Sequence, residues 1–421
     1  MVIINTLENG VRVALEPMEG IRSAALGIWV RNGARDEPPE LNGMSHFIEH
    51  MLFKGTSSRT AKQIADSMDA IGGQLNAYTA REYTAYYARV LDTHFGAALE
   101  ILADMFFNSR FDAGEIAKER NVITEEISMY KDTPEDLAHD ALSETLYPGD
   151  PLGASILGTP ESIGAFKRGD FIEYIETHYT PDRIVVSAAG SLDPDAALEA
   201  IAKVFGSFRR RSVPANFPDG RVRFTPGSKA VAKDIEQLHL CVGFPGIPTG
   251  SPKTYDLAVL NTMLGGGMSS RLFQHIREDK GLVYSIYSYT QGFKGEGLLS
   301  VYAALAPENA PETLDLIMAE TDKFRRREVG AKLLADTKEQ IQCNYLMSLE
   351  SSSTRMTNIG RGLLMLGRVY SPEEISRFID AVTEESVKAL ANEILDPERV
   401  GIATVGKSER VLRAGMSAPA T

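Results

Sequence analysis

The chain repeats itself, and this bounds its fold more tightly than any other feature. Thr159-Pro160-Glu161-Ser162-Ile163 recurs as Ser371-Pro372-Glu373-Glu374-Ile375, and Thr180-Pro181-Asp182-Arg183-Ile184-Val185-Val186 recurs as Asp396-Pro397-Glu398-Arg399-Val400-Gly401-Ile402. The offsets are about 212 and about 216 positions. The first pair begins with a hydroxyl residue followed by proline, which reads as a helix cap and first turn. The second pair leads into a β-branched run that ends in glycine, Gly190 and Gly406. Other segments align more loosely: 23–30 with 237–244 as strands, and 97–107 with 312–324 as helices. The simplest account is an α+β fold of two tandem homologous domains of about 200 residues each. Each is expected to be a mostly antiparallel β-sheet packed with α-helices. The boundaries are 1–208 and 228–421, with a linker at 209–227 where Pro214, Pro218 and Pro226 discourage helix. At 421 residues the chain is long enough for two full cores.

Within the first half, His46-Phe47-Ile48-Glu49-His50 spells H-x-x-E-H, the inverted form of the zinc-protease motif. Two imidazoles four residues apart on a helix share one face and can grip one metal ion. Glu49 leans over the same face, where a carboxylate can take a proton from an attacking water. The run 44–53 contains no proline and is followed by Lys54-Gly55, a basic residue and a helix stop. Asn42 and Ser45 are the candidate N-caps. Phe47, Ile48, Met51 and Leu52 fill the faces that the histidines leave. The competing reading is a chance polar face, and a third ligand elsewhere decides between the two.

A catalytic zinc takes three protein ligands and keeps one open position. Residues 112–130 read as a helix with Asp112 as its cap and Ile116, Val122, Ile123 and Ile127 on its buried side. Glu119 and Glu126, seven residues apart, share a face. Glu126 is taken as the third ligand and Glu119 as a neighbouring carboxylate that orients a histidine or the substrate amine. Glu125 points about 100° away and is expected to face solvent. Acidic residues are common on exposed helix faces, so spacing alone leaves a solvated acidic face as the alternative.

The stretch from Gly43 through His46, Glu49 and His50 to Thr56 resembles the zinc helix of the pitrilysin family, which includes insulysin and the mitochondrial processing peptidases. Glu119-Arg120-Asn121-Val122-Ile123-Thr124-Glu125-Glu126 is similar to that family's distal ligand helix. The resemblance covers essentially the whole chain, and its length matches the processing-peptidase branch. It implies Zn2+ held by His46, His50 and Glu126, Glu49 as catalytic base, and Glu119 as a supporting carboxylate. It also implies that Asn76 and Ala77 hold substrate on a strand. These two lie in the first of two β-rich runs joined by a turn at 80–82, and an open strand edge accepts an extended peptide through main-chain hydrogen bonds. Phe53 resembles a residue lining the pocket for the side chain after the scissile bond. In the second half, Arg277 and Tyr284 match a pair that serves the substrate carbonyl and the developing oxyanion. Read without the resemblance, Arg277 is a solvated helix residue and Tyr284 a strand residue. The run Gly265-Gly266-Gly267 lacks a phosphate-loop ending and reads as a turn between helices.

The implied function is a zinc-dependent endopeptidase that hydrolyses peptides or unfolded polypeptide segments inside an enclosed chamber. Two other classes stand beside it: a non-catalytic scaffold subunit of the same fold, which the intact motif opposes, and a metal-dependent hydrolase of a small molecule, which the strand-edge signature opposes. The resemblance implies a clamshell of four such domains, as in the long proteases of that family, of which a two-domain chain supplies half. A homodimer is therefore expected, with a heterodimer containing a non-catalytic sister chain as the alternative. The net charge of −13 argues against nucleic acid as the main partner. Cys241 and Cys343 make no disulfide framework. The first residues lack the basic and apolar regions of a signal peptide, and no apolar run approaches membrane-spanning length. A cytoplasmic enzyme of bacterial type is the resulting expectation, with a mature form whose leader was removed as the alternative.

Overall fold

A computed structural model describes residues 1–210, 222–326 and 329–407 of the protein. In chain order the first half carries β1 (Ile3–Thr6), β2 (Arg12–Pro17), β3 (Ser23–Val30), α1 (Met44–Leu52), α2 (Ala61–Ala70), β4 (Gln74–Thr79) and β5 (Thr84–Leu91). It continues with α3 (Phe95–Asn108), α4 (Ala113–Asp132), α5 (Pro134–Leu146), α6 (Pro160–Ala165), α7 (Arg168–His178), β6 (Ile184–Gly190) and α8 (Pro194–Phe205). The second half carries β7 (Gly227–Val231), β8 (Leu238–Pro245), α9 (Thr254–Gly265), a π-helix (Phe273–Asp279), β9 (Val283–Phe293) and β10 (Glu296–Leu305). It ends with α10 (Ala310–Arg326), α11 (Ala331–Ser348), α12 (Ser352–Leu366), α13 (Pro372–Asp380), α14 (Glu384–Ile394) and β11 (Gly401–Val405).

The duplication holds strand for strand. One sheet has the order β1-β2-β6-β3-β5-β4 and the other β7-β11-β8-β10-β9. Omitting β1, the two orders superpose: β2 with β7, β6 with β11, β3 with β8, β5 with β10, and β4 with β9. Each sheet has one parallel pair, β2/β6 and β7/β11, and is otherwise antiparallel. The paired sequence signals are paired structures. Thr159 and Ser371 both accept a backbone N–H from three residues on, in capping boxes that open α6 and α13. Gly190 and Gly406 both close their strands at positive φ, +132° and +126°. A Cβ on Gly190 would stand 2.3 Å from the Ser23 carbonyl oxygen, so both conformation and space require glycine there. Of the linker expected at 209–227, residues 211–221, including Pro214 and Pro218, lie outside the described residues.

The protein forms two compact units, and these are not contiguous in sequence. The first comprises Met1–Ile127, the described residues of 155–219, and Leu346–Tyr370; the second comprises Ser128–Ala154 and the described residues of 220–345 and 371–421. The expected division at 1–208 and 228–421 therefore differs by two exchanged helices. In the first unit, α12 packs on β2, β3 and β6; in the second, α5 packs on β7, β8 and β11. The physical reason is that each central strand is apolar on both faces. β6 is buried at all seven positions, and β3 is buried from Ala24 to Val30. Leu26, Ile28 and Val30 face the core that holds α1 and α3, whereas Ala25 and Trp29 face α12. The second unit's α5 is seated by polar groups. Tyr289 hydroxyl donates to His139 Nδ1 (2.7 Å), His139 Nε2 meets Tyr287 hydroxyl (3.1 Å), and that hydroxyl donates to Glu135 (2.7 Å).

The contact between α12 and its sheet leaves no room for a side chain at Gly360. A Cβ there would lie 2.2 Å from Trp29 Nε1 and 2.6 Å from Ser187 Oγ. Trp29 Nε1 donates to Ser187 Oγ (2.7 Å), which donates to the Met356 carbonyl (2.9 Å), so the indole is pinned where the Cβ would sit. Gly360→Ala is expected to destabilise the protein by about 2–3 kcal/mol through overpacking. Thermal unfolding with Gly362→Ala as a control checks this, since Gly362 meets no atom nearer than 3.2 Å.

Candidate metal centre

Helix α1 is locked into the first unit by Met44, Phe47, Ile48, Met51 and Leu52, each at most 1 % exposed. Its cap differs from the sequence expectation. Neither Asn42 nor Ser45 caps it. Gly43, in the left-handed region at φ +93°, is the N-cap, and it has no side chain to offer. The buried carboxylate of Glu37 accepts the Gly43 and Ser45 N–H groups at 2.8 and 2.6 Å. The Ser45 hydroxyl is engaged with Asn32 (3.1 Å) and Tyr174 (3.3 Å). Burial pushes Glu37 up to about 7, against the backbone and side-chain donors that pull it down.

Helix α4 begins where expected, with Asp112 Oδ1 accepting the Gly114 and Glu115 N–H groups (2.9 and 3.2 Å). Ile116, Ile123 and Ile127 are buried, whereas Val122 is 49 % exposed and is not part of the buried side. Glu125 is exposed, as its angular position requires.

His46, His50 and Glu126 converge. Their ligand atoms all lie within 4.8 Å of one another, the one group of this kind among the described residues. Glu126 Oε2 stands 3.7 Å from His46 Nε2 and 3.6 Å from His50 Nε2. Tetrahedral ligands at 2.0–2.2 Å from zinc are separated by about 3.3–3.6 Å, close to the two distances from Glu126. The donor chemistry fits a cation equally well. Burial, reinforced by nearby His50, depresses His46 to about 3, which leaves it a neutral imidazole. Glu126 Oε2 is a buried acceptor without a hydrogen-bond partner among the described residues. Imidazole nitrogens and a carboxylate oxygen brought together without a hydrogen bond between them want a positive charge at their centre.

Glu119 lies directly behind one ligand. It is 4 % exposed, and its Oε1 is 2.8 Å from His50 Nδ1 while Lys54 Nζ meets Oε2 at 2.7 Å. Burial works to raise Glu119, but hydrogen bonds and charge from His50 and Lys54 hold it below the usual carboxylate range. An ionised carboxylate only accepts, so His50 Nδ1 carries a proton toward Glu119, and Nε2 is the ring nitrogen that faces Glu126. Glu119→Gln is expected to weaken metal affinity about 10–100-fold while the fold persists. Competition against a chelator of known affinity measures this.

Glu49 Oε2 accepts the Thr79 hydroxyl at 2.6 Å. Burial holds the Glu49 carboxyl above its ordinary range, against that hydrogen bond. Asn76 and Ala77 lie on β4, the terminal strand of the first unit's sheet, which among the described residues pairs on one side only, with β5. Phe53 caps the C-terminus of α1 and is partly buried against the core. Arg277 and Tyr284 belong to the second unit. Arg277 lies on the π-helix, exposed, with its guanidinium over the Phe273 ring at 4.6 Å, and Tyr284 is 74 % exposed at the start of β9.

Three roles escaped the sequence reading: Glu37 at the start of α1, Lys54 on Glu119 and Thr79 on Glu49. Glu37 and Lys54 act through tertiary contacts that no spacing announces. Thr79 had a weak signal, since strand alternation from Ala77 turns it to the same face.

Known proteins resemble this chain over most of its length. Residues 12–160 match the model of the insulinase family, peptidase family M16, and residues 165–341 match that of the peptidase M16 inactive domain. The chain is 43 % identical over 389 residues to the uncharacterized zinc protease YmxG of Bacillus subtilis, covering 92 % of this chain and 94 % of that protein. It is 37 % identical to an uncharacterized zinc protease of Streptomyces coelicolor, covering 95 % and 88 %. Its fold is similar to that of a protease from Helicobacter pylori, with TM-score 0.91 at 21 % identity over 97 % of this chain and 99 % of the other.

Proposed function

The chain belongs to the insulinase family of peptidases, M16, and from that premise we propose that it is a zinc-dependent endopeptidase. The observation that carries this reading is the convergence of His46, His50 and Glu126 beside Glu49. Among the described residues no helix is long and apolar enough to cross a membrane.

His46, His50 and Glu126 would hold the zinc, and Glu119 would keep His50 in the tautomer that offers Nε2. When bound, zinc supplies a Lewis acid that polarises a carbonyl and makes water nucleophilic at neutral pH. Glu49 removes the proton from the attacking water and returns it to the leaving amine. Its raised proton affinity suits a group that must both take and give a proton. The open edge of β4, at Asn76 and Ala77, receives the substrate as an added strand, which tolerates many side chains. Phe53 lines the pocket for the residue after the scissile bond. These features favour an extended peptide or an unfolded segment over a folded protein or a small molecule.

We assign Arg277 and Tyr284 as the substrate-carbonyl and oxyanion donors. We propose that they act from a second copy of the chain in a homodimer that encloses a chamber. Their exposure on the second unit supports this assignment.

The test is hydrolysis of an unstructured peptide before and after chelation, with zinc restored, and light scattering on the same fractions. The reading predicts cleavage that is lost with the metal, returns with it and follows the dimer. Cleavage undiminished by metal removal would overturn it.

A further inference from the structure

The β4–β5 hairpin fixes which main-chain groups of β4 are open. The Ala80 N–H donates to the Tyr83 carbonyl at 2.8 Å, and the register continues Thr79 with Thr84, Tyr78 with Ala85, Ala77 with Tyr86 and Asn76 with Tyr87. Antiparallel pairing alternates between bonded and non-bonded pairs. Tyr78 and Asn76 are therefore spent on β5, and Leu75, Ala77 and Thr79 direct their N–H and C=O groups to the open edge. The same alternation turns the side chains of these three residues to one face. Leu75 and Ala77 pack against the core that contains Ile48 and Met51 of α1. The Thr79 hydroxyl, with a single proton, has the Glu49 carboxylate at 2.6 Å and the Ser45 carbonyl only at 3.5 Å, so it donates to Glu49. Two edge donors have local acceptors: the Thr79 N–H faces the Glu49 carboxylate, and the Ala77 N–H donates to Asn76 Oδ1 at 2.8 Å. The second is the bond an incoming peptide carbonyl would take over.

We propose that Thr79 is a positioning residue that couples occupancy of the β4 edge to the orientation of Glu49. Its carbonyl lies on the edge that takes the added strand, and its hydroxyl, beside its N–H, aims the carboxylate that takes the proton. The Asn76 side chain stands in for the peptide until the edge is filled. The inference rests on the reading of this centre as a metallopeptidase with Glu49 as base. Its consequence is that the hydroxyl serves turnover rather than substrate affinity.

The test uses the full-length zinc-loaded protein and an unstructured peptide. Thr79→Val keeps the β-branched shape and the main-chain groups and removes the donor; Thr79→Ser keeps the donor. Thr79→Val is expected to lower kcat by about 10-fold or more, as loss of an orienting hydrogen bond does, with KM within about twofold. Its zinc content and melting temperature should match the parent, and Thr79→Ser should recover most of kcat. In a Glu49→Gln background, Thr79→Val should add no further loss, because the two residues act as one unit. Unchanged kcat in Thr79→Val, a loss that Thr79→Ser fails to recover, or an additive loss in the double variant would overturn the proposal. If the parent needs both metal and Glu49 yet ignores Thr79, the coupling alone fails. If the parent cleaves without metal, the metallopeptidase reading fails and takes the coupling with it.

Discussion

Glu49→Gln keeps its zinc and loses peptide turnover by about 10²–10⁴-fold, the usual contribution of a general base. The substitution is nearly isosteric, and the Gln carbonyl can still accept the Thr79 hydroxyl that now lies 2.6 Å from Glu49 Oε2. None of the three converging ligand atoms belongs to Glu49, so the metal centre has no reason to change. What disappears is the group able to accept a proton next to the attacking water. Steady-state kinetics with zinc analysis on the same sample reads both quantities. Near-normal turnover would assign the base elsewhere; loss of zinc would make Glu49 part of the coordination sphere.

His46→Ala is expected to lower zinc affinity by more than about 100-fold, a larger effect than the 10–100-fold given for the supporting residue Glu119. His46 is 7 % exposed and held in a buried helix, so no nearby solvent-exposed side chain replaces it. Glu126→Gln should act in the same direction by removing the one carboxylate charge among the three ligands. Binding that favours the native state also raises its stability, by about 2.7 kcal/mol at a zinc concentration one hundred times the dissociation constant. The parent should therefore melt higher with zinc than without it, and His46→Ala should show no such gain. Full occupancy of His46→Ala under mild chelation would exclude it as a ligand.

How far the sequence reaches can be seen in particular residues. His46 and His50 were legible because a helix of known pitch fixes their separation. Glu126 was only a candidate from its two-turn spacing to Glu119, and the family resemblance singled it out, whereas the exposure of Glu125 follows from helix geometry. The duplicated sheet was legible from two capped helix starts and two strand-ending glycines. The cap of α1 was not, because Glu37 reaches the helix from six residues before Gly43 and the local candidates are used elsewhere. The exchange of α5 and α12 was not either. Periodicity reports that a helix has an apolar face, but not which sheet covers it, and Trp29 meets its partner Gly360 from the far half of the chain.

The central claim is that one ion is held jointly by His46, His50 and Glu126. Diffraction from crystals of the zinc-loaded protein, recorded on both sides of the zinc absorption edge, tests it most directly. The account predicts a single anomalous peak about 2.0–2.2 Å from Nε2 of both histidines and from a Glu126 carboxylate oxygen. A zinc peak bound by other residues, or no peak at this triad in protein that cleaves peptides, would contradict it.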